Sequence, residues 1–535
     1  MSQGNVSPSV PTQPGWAGRV RRHAHLRGGH VALRSGTVSR TYRDLDLMVD
    51  RLTSAFVELG VREGDRVAIL MGNSIEMIEI LLATNRMGAI AVPINFRLVA
   101  NEVRNLVLDS GAVAIVTDVE RAEVAKGARA TLGASLPCVV KRTDKTSAMS
   151  ASDIAGPGSL WLDEAIARAT TSPVEAKVTN ESPALIMYTS GTTGRPKGAV
   201  LSHQNLLFQT FNYITASQLF NDDAVFMCSV PIFHIAAIGA LVPMLTLGGT
   251  CVVMPSDSFD PVRLVDVIEA EGVTDIFLVP TQWQAVCAVP GLTSRNFRLR
   301  SMGWGASTTT RETLESMATC FPNARIVALF GQTEMSPVTC ALRGDESLRK
   351  LGSVGRPVSS VDVRIVDDDM NDVPEGDVGE IVYRGPNLMA GYWNNPEANE
   401  EAFRGGWFHS GDLVRRDDEG FIYVVDRKKD VIVSGGENVY CAEVEQAVAS
   451  YPGVAEVAVI GAPHRKWVET PVAYVVPLDP GAPPQSGDII AWCRDWLASF
   501  KLPSEIIIID VLPRNASGKV VKGTLRDDYA TRNER

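Results

Sequence analysis

The sequence predicts an α/β protein with largely parallel sheets, because apolar strand-like runs and helix-like segments alternate along most of its length. The clearest unit is a strand at Arg66–Leu70, a helix at Ile75–Arg86 and a second strand at 89–93. Asn73 or Ser74 can cap that helix, since their side-chain oxygens accept hydrogen bonds from its first N–H groups. Similar alternation recurs at 112–116, 184–188, 274–279 and 325–329.

A long uncharged segment raises the question of a membrane span. Residues 224–256 contain no Asp, Glu, Lys or Arg, which would suit a spanning helix. The segment is, however, interrupted by Pro231, His234, Gly239, Pro243, Gly248 and Gly249. We therefore predict a buried strand at 225–230, a buried helix at Ile235–Leu247 and a second buried strand at 251–254. No integral membrane segment is expected, and peripheral membrane contact is left open.

The pattern changes at about residue 352, where short strands alternate with Gly, Pro and Asp turns. Strands at 361–366, 379–383 and 420–425 indicate antiparallel or barrel-like structure. Asp367, Asp368 and Asp369 are interpreted as a hairpin turn. A smaller α+β unit is predicted next, with helices at 442–450 and 488–499 and strands at 455–460 and 471–477.

Composition and charge exclude several classes of function. The 535 residues are 45% apolar and 21% charged, with a net charge of −11, so a nucleic-acid-binding surface is disfavoured. The eight cysteines include no C-x-x-C pair, and we expect buried free thiols in a reducing compartment. Residues 1–14 lack the apolar core of a signal peptide, so a cytoplasmic location is expected. The chain is expected to be a monomer or a homodimer.

The strongest local motif is the segment 188–198, in which hydroxyls and glycines interleave before a lysine. Glycines allow backbone N–H groups to approach an anion, Thr and Ser hydroxyls add donors, and Lys197 adds positive charge. The segment does not have Walker A spacing, since Pro196 or Ala199 stands where that motif needs its second glycine. It is therefore interpreted as a phosphate-binding loop of another kind.

Segment 188–198 resembles the phosphate loop of the adenylate-forming superfamily, which includes acyl-CoA synthetases, nonribosomal-peptide adenylation domains and firefly luciferase. Six further segments resemble the other motifs of that superfamily, in the same order: 231–234 (PIFH), 303–306 (GWGA), 330–334 (FGQTE), 409–412 (HSGD), 426–438 (DRKKDVIVSGGEN) and 513–519 (PRNASGK). Within the superfamily the chain is most similar to actinobacterial fatty-acid–CoA ligases. The resemblance spans about residue 30 to the end of the chain.

The resemblance implies an acyl-CoA ligase that joins a carboxylic acid to CoA through an acyl-adenylate. A carboxylate that attacks a phosphate meets like-charge repulsion, so catalysis must consist mainly of charge neutralisation and positioning. The implied co-substrates are ATP and CoA, with Mg²⁺ held by Glu334. The implied catalytic residues are Lys519, Thr333, Glu334 and His234. The implied ATP-binding residues are Thr189, Ser190, Gly191, Thr192, Thr193, Gly194, Lys197, Gly305, Ala306, Phe330, Gly331, Gln332, Asp412 and Arg427.

The resemblance also implies an N-terminal ATP- and acid-binding domain at 16–428, after a disordered tail at 1–15. A mobile C-terminal domain at 429–535 carries the catalytic lysine and rotates about Lys429 between the two half-reactions. Ser434, Gly435 and Gly436 are the implied CoA-binding residues. The expected fold is thus a large domain of doubly wound sheets plus a small β-barrel, followed by a small α+β domain.

The acid is expected to lie against an apolar wall. The implied acyl pocket consists of His234, Ile238, Gly303, Trp304 and Gly305. A lone His in an apolar run is more often a satisfied core residue than a functional one, and Trp304 stands where the family has glycine. Fatty acids are the first expectation for the substrate, and aromatic or steroid-derived acids the next.

Two other departures from the family pattern are Cys441, where Pro is usual, and Val468, where Gly is usual; Lys522 is expected to be solvated. Two alternatives stay open beside the CoA ligase. One is an acyl-AMP ligase that loads a carrier protein, and the other is a nucleotide-binding scaffold without catalysis.

Overall fold

A computed structural model describes residues 13–130, 132, 136–143, 149–169, 176–189, 196–219, 223–256, 259–307, 309–344, 346–434, 437–465, 467–515 and 519–533. The chain divides into two compact units. The first unit comprises Met1–Asp362 and Arg384–Phe403, and the second comprises Val363–Tyr383 and Arg404–Arg535. The domain boundary at 428/429 stays a prediction.

The helices of the described residues are α1 (Gly15–Arg27), α2 (Tyr42–Glu58), α3 (Ile75–Arg86), α4 (Ala100–Ser110), α5 (Ala122–Arg129), α6 (Ala151–Ala155), α7 (Leu162–Arg168), α8 (His203–Ser217), α9 (Ile235–Leu247), α10 (Pro261–Ala270), α11 (Pro280–Cys287), α12 (Arg311–Cys320), α13 (Glu346–Arg349), α14 (Pro396–Ala402), α15 (Cys441–Ala449), α16 (Ser486–Cys493) and α17 (Lys522–Asn533).

The strands of the first unit are β1 (Val31–Ser35), β2 (Val38–Thr41), β3 (Arg66–Leu70), β4 (Ile90–Pro93), β5 (Ala114–Asp118), β6 (Cys138–Lys141), β7 (Ser159–Trp161), β8 (Pro183–Thr189), β9 (Lys197–Ser202), β10 (Val225–Cys228), β11 (Thr250–Val253), β12 (Asp275–Leu278), β13 (Ser301–Gly305), β14 (Arg325–Gly331), β15 (Val338–Arg343), β16 (Ser353–Pro357) and β19 (Gly391–Tyr392). The remaining strands are β17 (Asp362–Val366), β18 (Gly379–Arg384), β20 (Phe408–Arg416), β21 (Ile422–Arg427), β22 (Ile432–Ser434), β23 (Glu437–Val439), β24 (Val454–His464), β25 (Val468–Pro477) and β26 (Glu505–Ile508).

The first unit contains two sheets built mainly from parallel strands. One sheet has the strand order β19-β9-β8-β4-β3-β5-β6-β7, and β3 pairs in parallel with β4 and β5. The other sheet contains the strand order β16-β15-β14-β13-β12-β10-β11-β1-β2. From β14 to β1 in this order, all five pairs of neighbouring strands are parallel. The parallel pairs are joined through helices, so the predicted α/β class is confirmed.

The predicted β-α-β unit forms because its helix is capped locally and buried on the sheet. The Ser74 hydroxyl accepts a hydrogen bond from the Met77 N–H at 3.2 Å, which satisfies one of the free donors at the start of α3. Ser74, one of the two predicted caps, is therefore the residue used, while the Asn73 amide instead donates to the Val230 carbonyl at 2.9 Å.

The uncharged segment folds as two parallel strands joined by a buried helix. Helix α9 has the predicted bounds, and ten of its thirteen residues are buried although Pro243 lies inside it. Strands β10 and β11 pair in parallel on either side of it in the chain. Of the helices in the described ranges, none is both long and apolar enough to cross a bilayer.

The second unit contains two sheets. Strands β17, β18, β20 and β21 are neighbours in that order, and the pairs β18–β20 and β20–β21 are antiparallel. The other sheet has the order β23-β22-β25-β24, and β26 pairs in parallel with β25. Apolar residues of α15, α16 and this sheet form one core cluster.

One prediction for this unit is wrong and another is confirmed. The helix predicted at 488–499 is wrong in length, since α16 ends at Cys493 and the chain turns to place Leu497 in the core. The interpretation of 367–369 as a hairpin turn is confirmed, because the Asp367 carboxylate accepts the backbone N–H groups of Asp369 and Asn371. All eight cysteines are free, and six of them are buried.

Candidate active site

The phosphate-loop motif lies between two antiparallel strands of the first unit. Strand β8 ends at Thr189 and β9 begins at Lys197, and these two residues face each other in the register. The Thr189 hydroxyl oxygen lies 3.4 Å from the Lys197 carbonyl oxygen. The predicted loop residues Ser190, Gly191, Thr192, Thr193 and Gly194 lie outside the described residues.

Glu334, the predicted magnesium ligand, lies in a turn that follows β14 and includes Thr333. Its side chain is close to the phosphate-loop strands, because the Thr189 hydroxyl donates to Glu334 Oε1 at 3.4 Å. The Tyr392 hydroxyl donates to the same oxygen at 3.0 Å. The structure therefore brings together Thr189 and Glu334, which the sequence separates by 145 positions.

The surroundings of Glu334 fit a bound cation. Glu334 is 7% exposed, and none of the ion pairs between described residues involves it. A buried carboxylate with only neutral donors is unfavourable unless a cation joins it. Mg²⁺ prefers one or two carboxylates together with phosphate oxygens, so one protein carboxylate beside a phosphate loop is a suitable donor set.

The C-terminal end of β13 lies close to the backbone of β14, and the end of β14 lies close to the backbone at Pro337. At Gly331 a Cβ atom would lie 1.8 Å from the Pro337 carbonyl oxygen, and at Gly305 it would lie 2.3 Å from the Leu329 oxygen. These two predicted ATP-site glycines are therefore required by backbone packing. Ala306 follows with a φ of 69°, in the left-handed region that non-glycine residues seldom adopt.

Two further predicted ATP residues lie beside this backbone. Phe330 and Gln332 are half-buried. The Gln332 side-chain nitrogen is shielded from solvent and has no hydrogen-bond partner within the part of the chain that the structure describes. An unpaired buried donor is unfavourable, and a ligand that supplies an acceptor would satisfy it.

Residues 387–392, which are not among the predicted site residues, hold the Glu334 turn in place. The Met389 N–H donates to the Glu334 carbonyl at 2.7 Å, and the Asn387 amide donates to the Met335 carbonyl at 2.6 Å. Tyr392 adds its hydroxyl to the Glu334 carboxylate, and its ring lies under Lys197, with Nζ 5.2 Å from the ring centroid. The only sequence signal for this segment is an aromatic pair after Gly391 and before an Asn-Asn-Pro turn, which does not by itself indicate a site.

The predicted acid-binding residues lie on α9 and β13. His234 caps α9, since its Nδ1 atom accepts the Ala236 N–H at 3.2 Å, and Ile238 is buried in that helix. Trp304 is 8% exposed, and its indole nitrogen has no hydrogen-bond partner among the described residues. The indole N–H of Trp283 donates to the Gly303 carbonyl at 3.0 Å and fixes β13 from α11.

In the second unit, the predicted ATP-binding residues Asp412 and Arg427 form an ion pair. They face each other on β20 and β21, and Arg427 Nε lies 2.7 Å from Asp412 Oδ1. Asp412 is 4% exposed, so the arginine compensates a buried charge.

A second buried carboxylate supports the turn that carries Asp412. Glu380 accepts the Gly411 N–H at 3.0 Å and lies 3.0 Å from His409 Nδ1 and 3.1 Å from Lys428 Nζ. Burial alone would raise the pKa of Glu380, but these donors outweigh burial and hold that pKa below its usual value. Lys429, the predicted hinge residue, is exposed in the turn after Arg427.

The predicted residues nearer the C-terminus are distributed along the second unit. Lys519 is exposed, and its N–H donates to the Asn515 side chain at 2.9 Å. Ser434 is buried at the end of β22, whereas Gly435 and Gly436 lie outside the described residues. Ser434 pairs with Val468, which has a φ of 71° and is 69% exposed. A position with this φ favours glycine, which agrees with the glycine usual there in the resembled family.

The expectation that Lys522 is solvated is wrong. Its Nζ atom lies 2.8 Å from Glu445 Oε1, and its side chain is 18% exposed. Burial would lower the pKa of Lys522, but the carboxylates of Glu445 and Asp426 outweigh burial and raise it. The error arose because the partner carboxylates belong to α15 and β21, far from Lys522 in sequence.

The model of the AMP-binding enzyme family matches residues 20–393, and the model of the AMP-binding enzyme C-terminal domain matches residues 443–519. The chain belongs to the family of AMP-binding enzymes. Its relatives include feruloyl-CoA synthase of Amycolatopsis, 38% identical over 94% of this chain and 97% of the relative. Indoleacetate–CoA ligase of Aromatoleum aromaticum is 36% identical over 95% of this chain and 96% of the relative. Long-chain-fatty-acid–CoA ligase FadD13 of Mycobacterium tuberculosis is 35% identical over 96% of this chain and 98% of the relative.

Solved structures of AMP-binding enzymes share the fold. The ATP-bound MatB of Rhodopseudomonas palustris has a TM-score of 0.85 and 29% identity, covering 96% of this chain and 99% of its own. The o-succinylbenzoate CoA synthetase of Bacillus subtilis, solved with its acyl-adenylate intermediate, has a TM-score of 0.83 and 30% identity, covering 96% and 98%. The predicted superfamily, the AMP-forming acid–thiol ligase class, and ATP, Mg²⁺ and CoA as its co-substrates are confirmed.

Proposed function

We propose that this AMP-binding enzyme activates an apolar carboxylic acid in two half-reactions. In the first, the acid's carboxylate oxygen attacks the α-phosphorus of ATP, pyrophosphate leaves, and an acyl-adenylate forms. In the second, the CoA thiol attacks the acyl carbonyl, AMP leaves, and the thiol proton passes to solvent. The observation that carries the proposal is Glu334, a buried carboxylate with neutral donors only, beside the two strands of the phosphate loop.

The residues of the first unit would bind and orient ATP. Glu334 would hold Mg²⁺, which supplies positive charge to the phosphate oxygens during the displacement. Thr189 and Lys197 would donate to the phosphates from the facing ends of β8 and β9. Thr333 would contact the α-phosphate, where fixed donors stabilise the charge that develops in the transition state.

The residues of the second unit would serve the nucleoside and the acid. Asp412, held by Arg427, would accept hydrogen bonds from the ribose hydroxyls. Lys519 is exposed and bears a positive charge that would neutralise the attacking carboxylate and the α-phosphate. Ser434, Gly435 and Gly436 would bind CoA, and Lys429 would be the hinge residue.

The acid that the site supports best is an aryl-substituted carboxylic acid. Trp304 puts a buried indole in the strand of the predicted pocket wall, where it can pack against an aromatic ring. Feruloyl-CoA synthase and indoleacetate–CoA ligase, whose names denote aromatic acids, support this choice.

A fatty acid is the second candidate. The long-chain-fatty-acid–CoA ligase FadD13 supports it, as does the uncharged, buried helix α9 after His234. A small charged acid is disfavoured, because an apolar wall does not compensate a second charge.

The experiment is a mass-spectrometric assay of the purified enzyme with Mg-ATP and a panel of aryl, medium-chain and long-chain acids, with and without CoA. We expect aryl-CoA only when CoA is present, with fatty acids turned over more slowly. Fatty acids as the preferred substrates would overturn the acid class, and acyl-AMP accumulation in both tubes would indicate carrier loading.

The Lys519→Ala variant should form no acyl-AMP but should still convert preformed acyl-AMP to acyl-CoA. An equal loss in both steps would contradict the proposed role of Lys519.

Trp304 offers a direct test of the acid pocket. Trp304→Gly should shift the preference toward bulkier acids, because the change removes a whole indole from the proposed wall. The measurement is kcat/KM across the same panel. An unchanged order of preference would place Trp304 in the core of the fold and outside the pocket.

A further inference from the structure

Tyr392 contacts two residues of the proposed ATP site at once. Its hydroxyl donates to Glu334 Oε1 at 3.0 Å, and Lys197 Nζ lies 5.2 Å from the centroid of its ring. The first contact is a hydrogen bond to a charged acceptor, and the second is a cation–π contact. One side chain thus touches both the proposed metal ligand and the lysine of the phosphate loop.

The backbone of Tyr392 is fixed on both sides. Strand β19 pairs with β9, where Tyr392 faces Ala199, and the Trp393 N–H donates to the Gly198 carbonyl at 2.7 Å. Asn399 holds the same residue from α14, since its side chain accepts the Tyr392 N–H at 2.6 Å and donates to the Tyr392 carbonyl at 3.0 Å. A side chain on such a backbone can orient the groups that it contacts.

The chemistry of tyrosine matters at this position. A phenol hydroxyl orients the carboxylate without neutralising it, so Glu334 keeps its full charge for a cation. A lysine and a buried carboxylate that contact the same side chain would otherwise attract each other. Among the described residues Lys197 and Glu334 form no ion pair, and the Tyr392 side chain contacts both of them.

We propose that Tyr392 is a positioning residue that orients Glu334 toward the magnesium of Mg-ATP and keeps Lys197 from pairing with that carboxylate. The inference rests on the proposed function, because it takes Glu334 as the metal ligand. It assigns two separable contributions to Tyr392, one from the hydroxyl and one from the ring.

Substitutions separate the two contributions. Tyr392→Phe removes the hydroxyl and keeps the ring under Lys197, whereas Tyr392→Leu removes both. Tyr423→Phe is a matched control, because the Tyr423 hydroxyl donates to the Asp417 carboxylate at 3.3 Å and its ring lies under Arg415, with 4.4 Å between that guanidinium and the ring centroid. The control therefore loses the same kind of hydrogen bond at a pair of residues outside the predicted site.

The measurement is calorimetric titration of each full-length variant with the non-hydrolysable analogue α,β-methylene-ATP, in Mg²⁺ and in EDTA. We expect Tyr392→Phe to raise the Kd about tenfold in Mg²⁺ and to leave it nearly unchanged in EDTA, as for one hydrogen bond to a charged group. Tyr392→Leu should raise the Kd further in both conditions, because Lys197 then pairs with Glu334. Tyr423→Phe should match the wild type. In turnover assays the KM for Mg-ATP should rise more than kcat falls.

A double-mutant cycle with Glu334→Gln keeps the test independent of folding effects. If Tyr392 acts through the Glu334 charge, adding Tyr392→Phe to Glu334→Gln should change the Kd less than twofold. An equal loss in both backgrounds, or an equal loss with and without Mg²⁺, would overturn the positioning role. Wild-type binding by Glu334→Gln itself would instead refute the metal assignment in the proposed function.

Discussion

Two buried carboxylates, one in each unit, have contrasting partners. Glu334 in the first unit is 7% exposed and accepts hydrogen bonds from two neutral hydroxyls, those of Thr189 and Tyr392. Asp412 in the second unit is 4% exposed and is paired with Arg427 at 2.7 Å. A carboxylate with neutral partners still needs a cation, whereas one paired with arginine needs only hydrogen-bond donors. The contrast suits a metal ligand and a ribose acceptor respectively.

Neutralising Glu334 should have the largest effect. Glu334→Gln keeps the shape of the side chain and removes the charge for Mg²⁺, so adenylation should slow by about 10²–10³-fold, as when a transition-state charge partner is lost. The measurement is pyrophosphate release with a preferred acid at saturating Mg-ATP. Glu346→Gln, which affects a carboxylate paired with Arg356, serves as the control and should retain wild-type rates. If Glu334→Gln slows adenylation by less than about threefold, the contrast between Glu334 as metal ligand and Asp412 as ribose acceptor does not hold.

Neutralising Asp412 should affect ATP binding more than the chemical step. Asp412→Asn loses a charged acceptor for the ribose hydroxyls, so the KM for ATP should rise about tenfold with a smaller change in kcat. The loss should be smaller for 2′-deoxy-ATP, which lacks one of those hydroxyls. An identical loss for both nucleotides would indicate that Asp412 acts by holding Arg427 and does not bind the ribose.

A third buried carboxylate tests whether one arginine is enough to keep such a group charged. Glu79 is 2% exposed and lies 3.1 Å from Arg40, yet burial raises its pKa to about 7. A raised pKa means that the folded state holds the proton more tightly than the unfolded state does. The contribution of Glu79 to stability is therefore fully present below pH 4.5 and is lost as the pH rises through 7.

Glu79→Gln keeps the neutral form at every pH. Its stability relative to the wild type should therefore rise between pH 5 and pH 8, by on the order of 2 kcal/mol. Urea unfolding at a series of pH values measures the difference. A pH-independent difference would show that Arg40 compensates Glu79 fully, as Arg427 compensates Asp412.

The smallest predicted effect concerns Val468, beside Ser434 of the second unit. A valine with a φ of 71° is strained, because its branched side chain crowds the backbone in the left-handed region. Val468→Gly should relieve that strain and stabilise the protein by about 1 kcal/mol, after the greater flexibility of glycine in the unfolded chain is subtracted. Thermal unfolding measures the change, and a lower Tm would contradict the strain.

Local sequence determined the secondary structure of the regions that form the site. The α9 bounds follow from a continuous apolar run that begins after His234 and stops before Gly248, and the Ser74 cap follows from residue type and position. Ordered motifs likewise identified the superfamily, because hydroxyls, glycines and a lysine at fixed spacing suit phosphate binding. Such features depend on neighbours within a few positions, which a single sequence displays.

Tertiary structure alone decided which side chains meet. Tyr392 contacts a carboxylate 58 positions away, and Lys522 pairs with Glu445 on a helix that begins at Cys441, so neither contact is visible in the local pattern. The same holds for Val468, whose left-handed φ is imposed where β22 and β24 meet β25. Burial, pKa and strain depend on the packing of distant strands and helices, and packing is the step that residue spacing does not encode.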